Sequence, residues 1–243
     1  MPSRNPPIVF LDDGGVMNDN TVRAPQWRKL LGQFMPPVLG GTPERWAEAN
    51  RVTFPLLWTD ISSRLAEFAH HADFQREYDL LWLRGMCELI GVPVPSEDLA
   101  LEIATSAARY ITARVRSEYP DAIPAIRSLH AAGFELHTAS GTRSLELEGI
   151  LGAMGVRECF GHLFGPDLLD TMKAGPEYYR RVFEQTDINP ALAVVIEDSG
   201  AGCSWAREAG ATAIQVVRDA TAGGEGIVRD FASAARYLIE TYR

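Results

Sequence analysis

The sequence predicts an α/β protein, an open parallel sheet with a long helical segment inserted after its first strand. Three observations point there. Four short apolar runs lack the in–out alternation of a one-sided sheet, as strands buried on both faces do. Amphipathic stretches of helical period separate the later runs. Between the first run and the rest lie roughly a hundred residues with helix periodicity and no strand pattern.

In chain order, the first run is Ile8-Val9-Phe10-Leu11, followed by Asp12-Asp13-Gly14-Gly15. The segment 19–117 is read as helical. Phe74, Tyr78, Leu81, Trp82 and Leu89 share one face of a helix, and Leu99, Ile103, Ala107 and Tyr110 share another. Pro55, Pro93 and Pro95 mark turns, and Pro95-Ser96-Glu97 reads as the approach to a helix start. Trp27, Trp46, Trp58 and Trp82 all fall in this segment, where packing in a small bundle is expected to use them. After it come a helix over Pro124–Ala132 closed by Gly133, and a strand around Phe134-Glu135-Leu136 that runs into Thr138-Ala139-Ser140. A helix over Glu177–Gln185 and a strand Ala193-Val194-Val195-Ile196 ending in Glu197-Asp198-Ser199-Gly200 follow, then the run Ala213–Val217. Gly223-Gly224-Glu225-Gly226 reads as a late loop. The division expected is a core from 1–18 and 118–243 and an inserted helical domain from 19–117. Alternating strand and helix implies right-handed crossovers, and in such sheets ligands gather at the carboxyl ends of the strands. The polar tails of the runs stand there.

Composition narrows the function. The chain has 243 residues, 46% hydrophobic and 23% charged, which is globular and long enough to bury a core without disulfides or a structural metal. A net charge of −9 repels phosphate backbones and anionic lipid, so neither nucleic acid nor a membrane surface is expected as partner. Cys87, Cys159 and Cys203 are widely spaced and odd in number, the usage of buried thiols in a reducing compartment. Pro6–Leu11 is too short for a secretory core, and no run reaches the length of a membrane span. The expected location is the cytoplasm.

Four polar stations follow one another. The first is Asp12-Asp13-Gly14-Gly15-Val16-Met17-Asn18-Asp19, the second Thr138-Ala139-Ser140. Lys173 is the third: the chain has 21 arginines and two lysines, 23 together, so a compact ammonium kept in Met172-Lys173-Ala174-Gly175-Pro176 is a departure from habit. The fourth is Glu197-Asp198-Ser199-Gly200-Ala201-Gly202. Each alone reads as a turn, a cap or a solvated charge.

Together the four resemble the ordered motifs of the haloacid dehalogenase (HAD) superfamily of hydrolases, in the helical-cap branch that includes phosphoglycolate phosphatase and β-phosphoglucomutase relatives. The stretch Lys173–Glu177 followed by Val194–Gly202, and Tyr119-Pro120-Asp121 through Leu129 and Gly133 to Thr138, carry the likeness. The resemblance implies a Rossmann-like core with a helical cap and a phosphatase-like hydrolase. In that reading Asp12 is a nucleophile that forms an aspartyl-phosphate, and Mg2+ is held by Asp12, the carbonyl of Gly14 and Asp198, with Glu197 close by or acting through water. Thr138 binds a phosphoryl oxygen, Lys173 offsets charge, and Gly14, Ala139 and Ser140 line the substrate, a small phosphorylated or similarly anionic metabolite. Hydroxyl, ammonium and cation supply the neutralisation that phosphoryl transfer needs.

The first motif departs from the family's Asp-x-Asp. With Asp12 as nucleophile, Gly14 stands where the general acid belongs. A positioned acid contributes about 10²–10⁴-fold, so an alkyl ester becomes a poor substrate. The readings left open are a Mg2+-dependent phosphatase for good leaving groups, or one borrowing an acid from the cap or Asp13; a hydrolase of a carbon–phosphorus or carbon–halogen bond; and a silent binder of a phospho-ligand. Lys29 is in the wrong place for the Schiff base of phosphonate cleavage, and the Glu197-Asp198 pair argues against a metal-free dehalogenase. Arg45, Arg51 and Arg84 are candidates to hold an anionic tail, and His70, His71 and His137 are read as structural or solvated.

Overall fold

Among the described residues, the four apolar runs and two further strands assemble a six-stranded sheet in which every pairing is parallel. Its strands are β1 (Ile8–Leu11), β2 (Leu136–Ala139), β3 (Phe160–Phe164), β4 (Ala193–Glu197), β5 (Thr212–Val216) and β6 (Ile227–Val228). They lie in the order β3-β2-β1-β4-β5-β6. The chain winds outward from β1 in one direction through β2 and β3, and in the other through β4, β5 and β6. The order therefore reverses at β1, whose carboxyl end is the place where open α/β sheets form a binding crevice. Val9, Phe10 and Leu11 are wholly buried there, which explains an uninterrupted apolar run. The register pairs Leu11 with both Thr138 and Ile196, so Asp12 follows at the level of Ala139 and Glu197.

The computed structural model describes residues 6–219, 224 and 226–242. These form two compact units, one of the chain up to Asn20 together with everything from Ser117, the other Thr21–Arg116. Of the glycine-rich loop at 223–226, residues 223 and 225 lie outside the described residues.

The sheet unit is completed by helices α6 (Ala122–Ala131), α7 (Ser144–Met154), α8 (Pro166–Leu169), α9 (Pro176–Thr186), α10 (Gly200–Glu208) and α11 (Phe231–Tyr242). Phe10, Tyr178, Tyr179, Val182, Phe183, Val195, Cys203 and Ala206 form the core of one sheet face. Three points differ from the sequence reading, the first being β6, a strand of two residues with no apolar run to announce it. β2 begins two residues later than the Phe134 run suggests, which keeps Thr138 and Ala139 inside the strand. β3 went unread because Gly161 and His162 are exposed and break its apolar run, as an inner strand would not tolerate.

Asn20 belongs to the sheet unit and opens α1 (Asn20–Phe34); the second unit holds the rest of that helix with α2 (Pro36–Leu39), α3 (Pro43–Ser63), α4 (His71–Ile90) and α5 (Glu97–Thr112). Pro55 does not end a helix: α3 runs through it. Both Pro55 and Arg51, whose carbonyl loses its donor, lie on the exposed face, so the lost bond falls outside the core. Leu89 and Leu99 are exposed, while Leu83, Met86, Ile90, Ala100, Ala104 and Ala108 are buried. The helical period holds, but the buried stripe of α5 is built largely from alanines that permit close helix approach, and large side chains misplace its centre. Trp46 and Trp82 are core residues, their indole N–H groups donating to Gly40 O (2.7 Å) and Asn50 Oδ1 (2.9 Å). Arg45 donates to Ile90 O and Arg51 pairs with Glu48.

Candidate active site

β1 delivers Asp12 to the reversal point of the sheet. Its N–H donates to Ile196 O at 2.9 Å, and the chain then turns at once: Asp13 O accepts the amides of Met17 and Asn18, and Gly15 N–H donates to Asn18 O. Gly15 sits at φ +80°, and a Cβ there would come within 2.1 Å of Asp198 Oδ2. The loop therefore passes directly over the carboxylate that β4 presents.

Lys173, in the link between α8 and α9, gathers the other stations. Its Nζ donates to Asp12 Oδ1 (2.6 Å), Glu197 Oε2 (2.6 Å) and Ala139 O (2.9 Å). Three bonds exhaust an ammonium. Glu197 is likewise committed: Oε2 also accepts from Tyr179 OH at 3.1 Å, and Oε1 accepts from Ser199 N–H at 3.1 Å. Ser199 in turn caps α10 by accepting from Gly202 N–H at 2.9 Å. Gly202 must lack a side chain, since a Cβ would lie 2.6 Å from the Glu197 carboxyl carbon.

Electrostatics follow from burial. Burial pushes the Asp12 carboxyl up to about 7 against the pull of Lys173. Burial and the adjoining Glu197 raise Asp198 to about 6. Glu197 is buried too, but the charge and hydrogen bond of Lys173 hold it below the ordinary carboxylate range. Burial alone would depress Lys173; Asp12 and Glu197 reverse that and keep it firmly protonated. Two carboxylates are thus ionised reluctantly, which is the condition a divalent cation relieves. One oxygen from each of Asp12, Glu197 and Asp198 lies within 4.8 Å of the others. These are hard oxygen donors of the kind Mg2+ takes, so the residues fit such an ion.

The second station is arranged differently from the expectation. Thr138 is fully buried in β2, one residue short of the Asp12 level, and its hydroxyl donates to Phe164 O at 3.2 Å. A phosphoryl contact from Thr138 requires surrendering that bond. Ala139 occupies the level of Asp12 and contributes its carbonyl to Lys173. Ser140 Oγ accepts from Thr142 N–H at 3.1 Å, which leaves its own proton to donate. Asp13 is wholly buried, with Oδ1 accepting from Asn18 at 2.8 Å and Oδ2 from Thr142 Oγ1 at 3.3 Å. Those bonds tie it to the loop and make it a poor source of the missing acid. Gly14 carries its carbonyl in this same loop. His137 is buried among Phe10, His162 and Phe164, and burial lowers its pKa, in keeping with a structural role.

Tyr179 and Tyr178 escaped the sequence reading. Both are wholly buried at the start of α9, and Tyr178 OH donates to Ser140 O at 2.8 Å. The available signal was a pair of tyrosines on the apolar face of an amphipathic helix, where each hydroxyl must find a partner.

The comparisons agree with this architecture. The model of the haloacid dehalogenase-like hydrolase family matches residues 34–210, which include Lys173, Glu197 and Asp198. Phosphoglycolate phosphatase from Psychrobacter arcticus is 36% identical over 81 residues, a third of this chain (33%) and about a third of that protein (35%). Among solved structures, L-2-haloacid dehalogenase from Xanthobacter autotrophicus is 16% identical with TM-score 0.62, covering 96% of this chain and 98% of its own. The HAD-hydrolase YfnB from Bacillus subtilis, solved bound to magnesium, is 15% identical with TM-score 0.64, covering 97% and 99%. At such identities the solved structures speak for the fold alone. The family match spans well over half the sequence, and the chain belongs to the haloacid dehalogenase-like hydrolases.

Proposed function

We propose that this hydrolase is a divalent-cation-dependent phosphohydrolase whose Asp12 carboxylate accepts the phosphoryl group of a small anionic substrate. The observation that carries the reading is the junction of Asp12 and Glu197 on the buried ammonium of Lys173, with Asp198 within reach of both carboxylates. Asp12, Asp198 and the Gly14 carbonyl would hold Mg2+. Bound there, the ion would supply charge neutralisation for the phosphoryl oxygens. Lys173 fixes Asp12 through Oδ1 and lowers the repulsion between carboxylate and phosphate dianion. Glu197, its oxygens occupied by Lys173, Tyr179 and Ser199, positions that lysine. Ser140 has a hydroxyl proton to offer the substrate. The relative named phosphoglycolate phosphatase supports a small phosphorylated acid as the substrate class.

Hydrolysis of acetyl phosphate and p-nitrophenyl phosphate, with Mg2+ and with EDTA, tests this. Activity should require the cation, fall by about 10³-fold or more in Asp12→Asn and by about 10²-fold in Lys173→Met. Equal turnover in EDTA, or an active Asp12→Asn, would defeat it. One observation favours a second reading: position 14 carries no acid and Asp13 is tied to Asn18 and Thr142, and expulsion of a halide needs no acid. Halide release from a 2-haloacid in EDTA would favour that alternative.

A further inference from the structure

The space that a side chain at position 14 would enter is not empty. An ideal Cβ on Gly14 would lie 2.6 Å from Asn20 Nδ2, 3.1 Å from Oδ1 and 3.2 Å from Cγ. Asn20 opens α1, directly after a loop that is held in place by bonds to residues 117–119. Asp19 N–H donates to Ser117 O at 2.7 Å, Tyr119 N–H to Met17 O at 3.0 Å, and Ser117 Oγ to Asn18 Oδ1 at 2.9 Å. The side chain is exposed, so it does not serve to fill the core.

Chemistry then separates what this group can and cannot do. A carboxamide donates two N–H bonds and has no proton to give up at any working pH. It can stabilise negative charge that develops on a departing oxygen, but it cannot protonate that oxygen. Asp13, the neighbouring carboxyl, is bound to Asn18 and Thr142 and supplies no acid in its stead.

We propose that the Asn20 carboxamide takes the place of the missing acid, binds the leaving-group oxygen by hydrogen bond, and restricts the enzyme to acyl phosphates over alkyl phosphate esters. The inference rests on the aspartyl-phosphate reading above. An Asp12 oxygen bonds to phosphorus as the bond from phosphorus to the acyl oxygen breaks, and the electron pair leaves with that oxygen as a carboxylate. No proton is needed. Water then attacks the phosphoryl group on Asp12, regenerates the carboxylate, and its proton departs on the product dihydrogen phosphate. For an alkyl ester the same step would expel an alkoxide, whose conjugate acid has a pKa about 11 units above that of a carboxylic acid.

The test compares kcat/KM for acetyl phosphate and ethyl phosphate in the wild type, Asn20→Ala and Asn20→Asp, with phosphate trapped on Asp12 monitored by mass. In the wild type acetyl phosphate should be preferred by about 10²-fold or more. Asn20→Ala should lose roughly tenfold on acetyl phosphate, and Asn20→Asp should raise the ethyl-to-acetyl ratio by roughly tenfold or more. Because the amide occupies the space, Gly14→Asp should gain less on ethyl phosphate than Gly14→Asp combined with Asn20→Ala. Trapped phosphate with a substrate ratio within about twofold of wild type in both Asn20 variants would overturn the inference alone. No phosphate on Asp12 in any protein would overturn the underlying reading with it.

Discussion

At Gly15 the backbone turns with φ +80°, and the absent Cβ would lie 2.1 Å from an Asp198 oxygen. Two demands thus meet on one residue, a left-handed conformation and clearance for a carboxylate. Gly15→Ala should cost about 1–3 kcal/mol of stability, read by denaturant unfolding, and weaken Mg2+ binding by about tenfold or more because Asp198 must move. Full cation affinity in the variant would separate Asp198 from the site. The presence of Gly15 was legible in the sequence; its reason was not, because the clash is with a residue 183 positions away. Lys173 was more legible. Its ammonium donates to three oxygens at 2.6, 2.6 and 2.9 Å in a buried pocket, a fit for a compact charge and not for a guanidinium fork. The scarcity of lysine elsewhere in the chain registered that requirement. Thr138 shows the limit of residue type as a guide: a hydroxyl beside a strand end also serves the neighbouring strand, and only the register tells which.

Among elements, the strands buried on both faces were readable because they carry continuous apolar runs, whereas the edge strand β3, opened by Gly161 and His162, was not. Helix faces came out offset where alanine builds the contact. One element-scale device left no pattern at all in the sequence. Arg218, just past β5, donates to Gly15 O (3.2 Å), Val16 O (2.8 Å) and Asp121 Oδ1 (3.0 Å), and its guanidinium stacks 3.4 Å over the Tyr119 ring. Asp121 also accepts the amides of Phe231 and Ala232, which open α11. Arg218 and Asp121 together therefore tie the Asp12 loop, the start of α6 and the start of α11. Arg218→Met should lower unfolding stability by about 2–3 kcal/mol, since charged hydrogen bonds are lost and a partly buried Asp121 loses its countercharge. Faster amide exchange at Gly15 and at Phe231 together should accompany it. A loss confined to α11 would show that the strap does not hold the loop.

For the molecule as a whole, an acidic chain of net charge −9 concentrates three carboxylates at the reversal point of its sheet. With no cation bound this arrangement is costly. Asp12 and Asp198 have folded-state pKa values raised to about 7 and about 6 from 3.8. The folded chain then holds protons that the unfolded chain has released. The stability due to these groups is present below pH about 4 and is lost as pH rises through 6 and 7. A bound cation replaces those protons, so its affinity must increase over the same range, while Lys173 and Glu197 keep their charges throughout. The decisive measurement is calorimetric titration of Mg2+ into the protein at about pH 5 and about pH 8. Predicted is saturable binding at one site, about tenfold or more tighter at the higher pH, abolished by Asp198→Asn and accompanied by a rise in melting temperature. No saturable binding at the higher pH, or binding indifferent to Asp12→Asn and Asp198→Asn, would contradict the account.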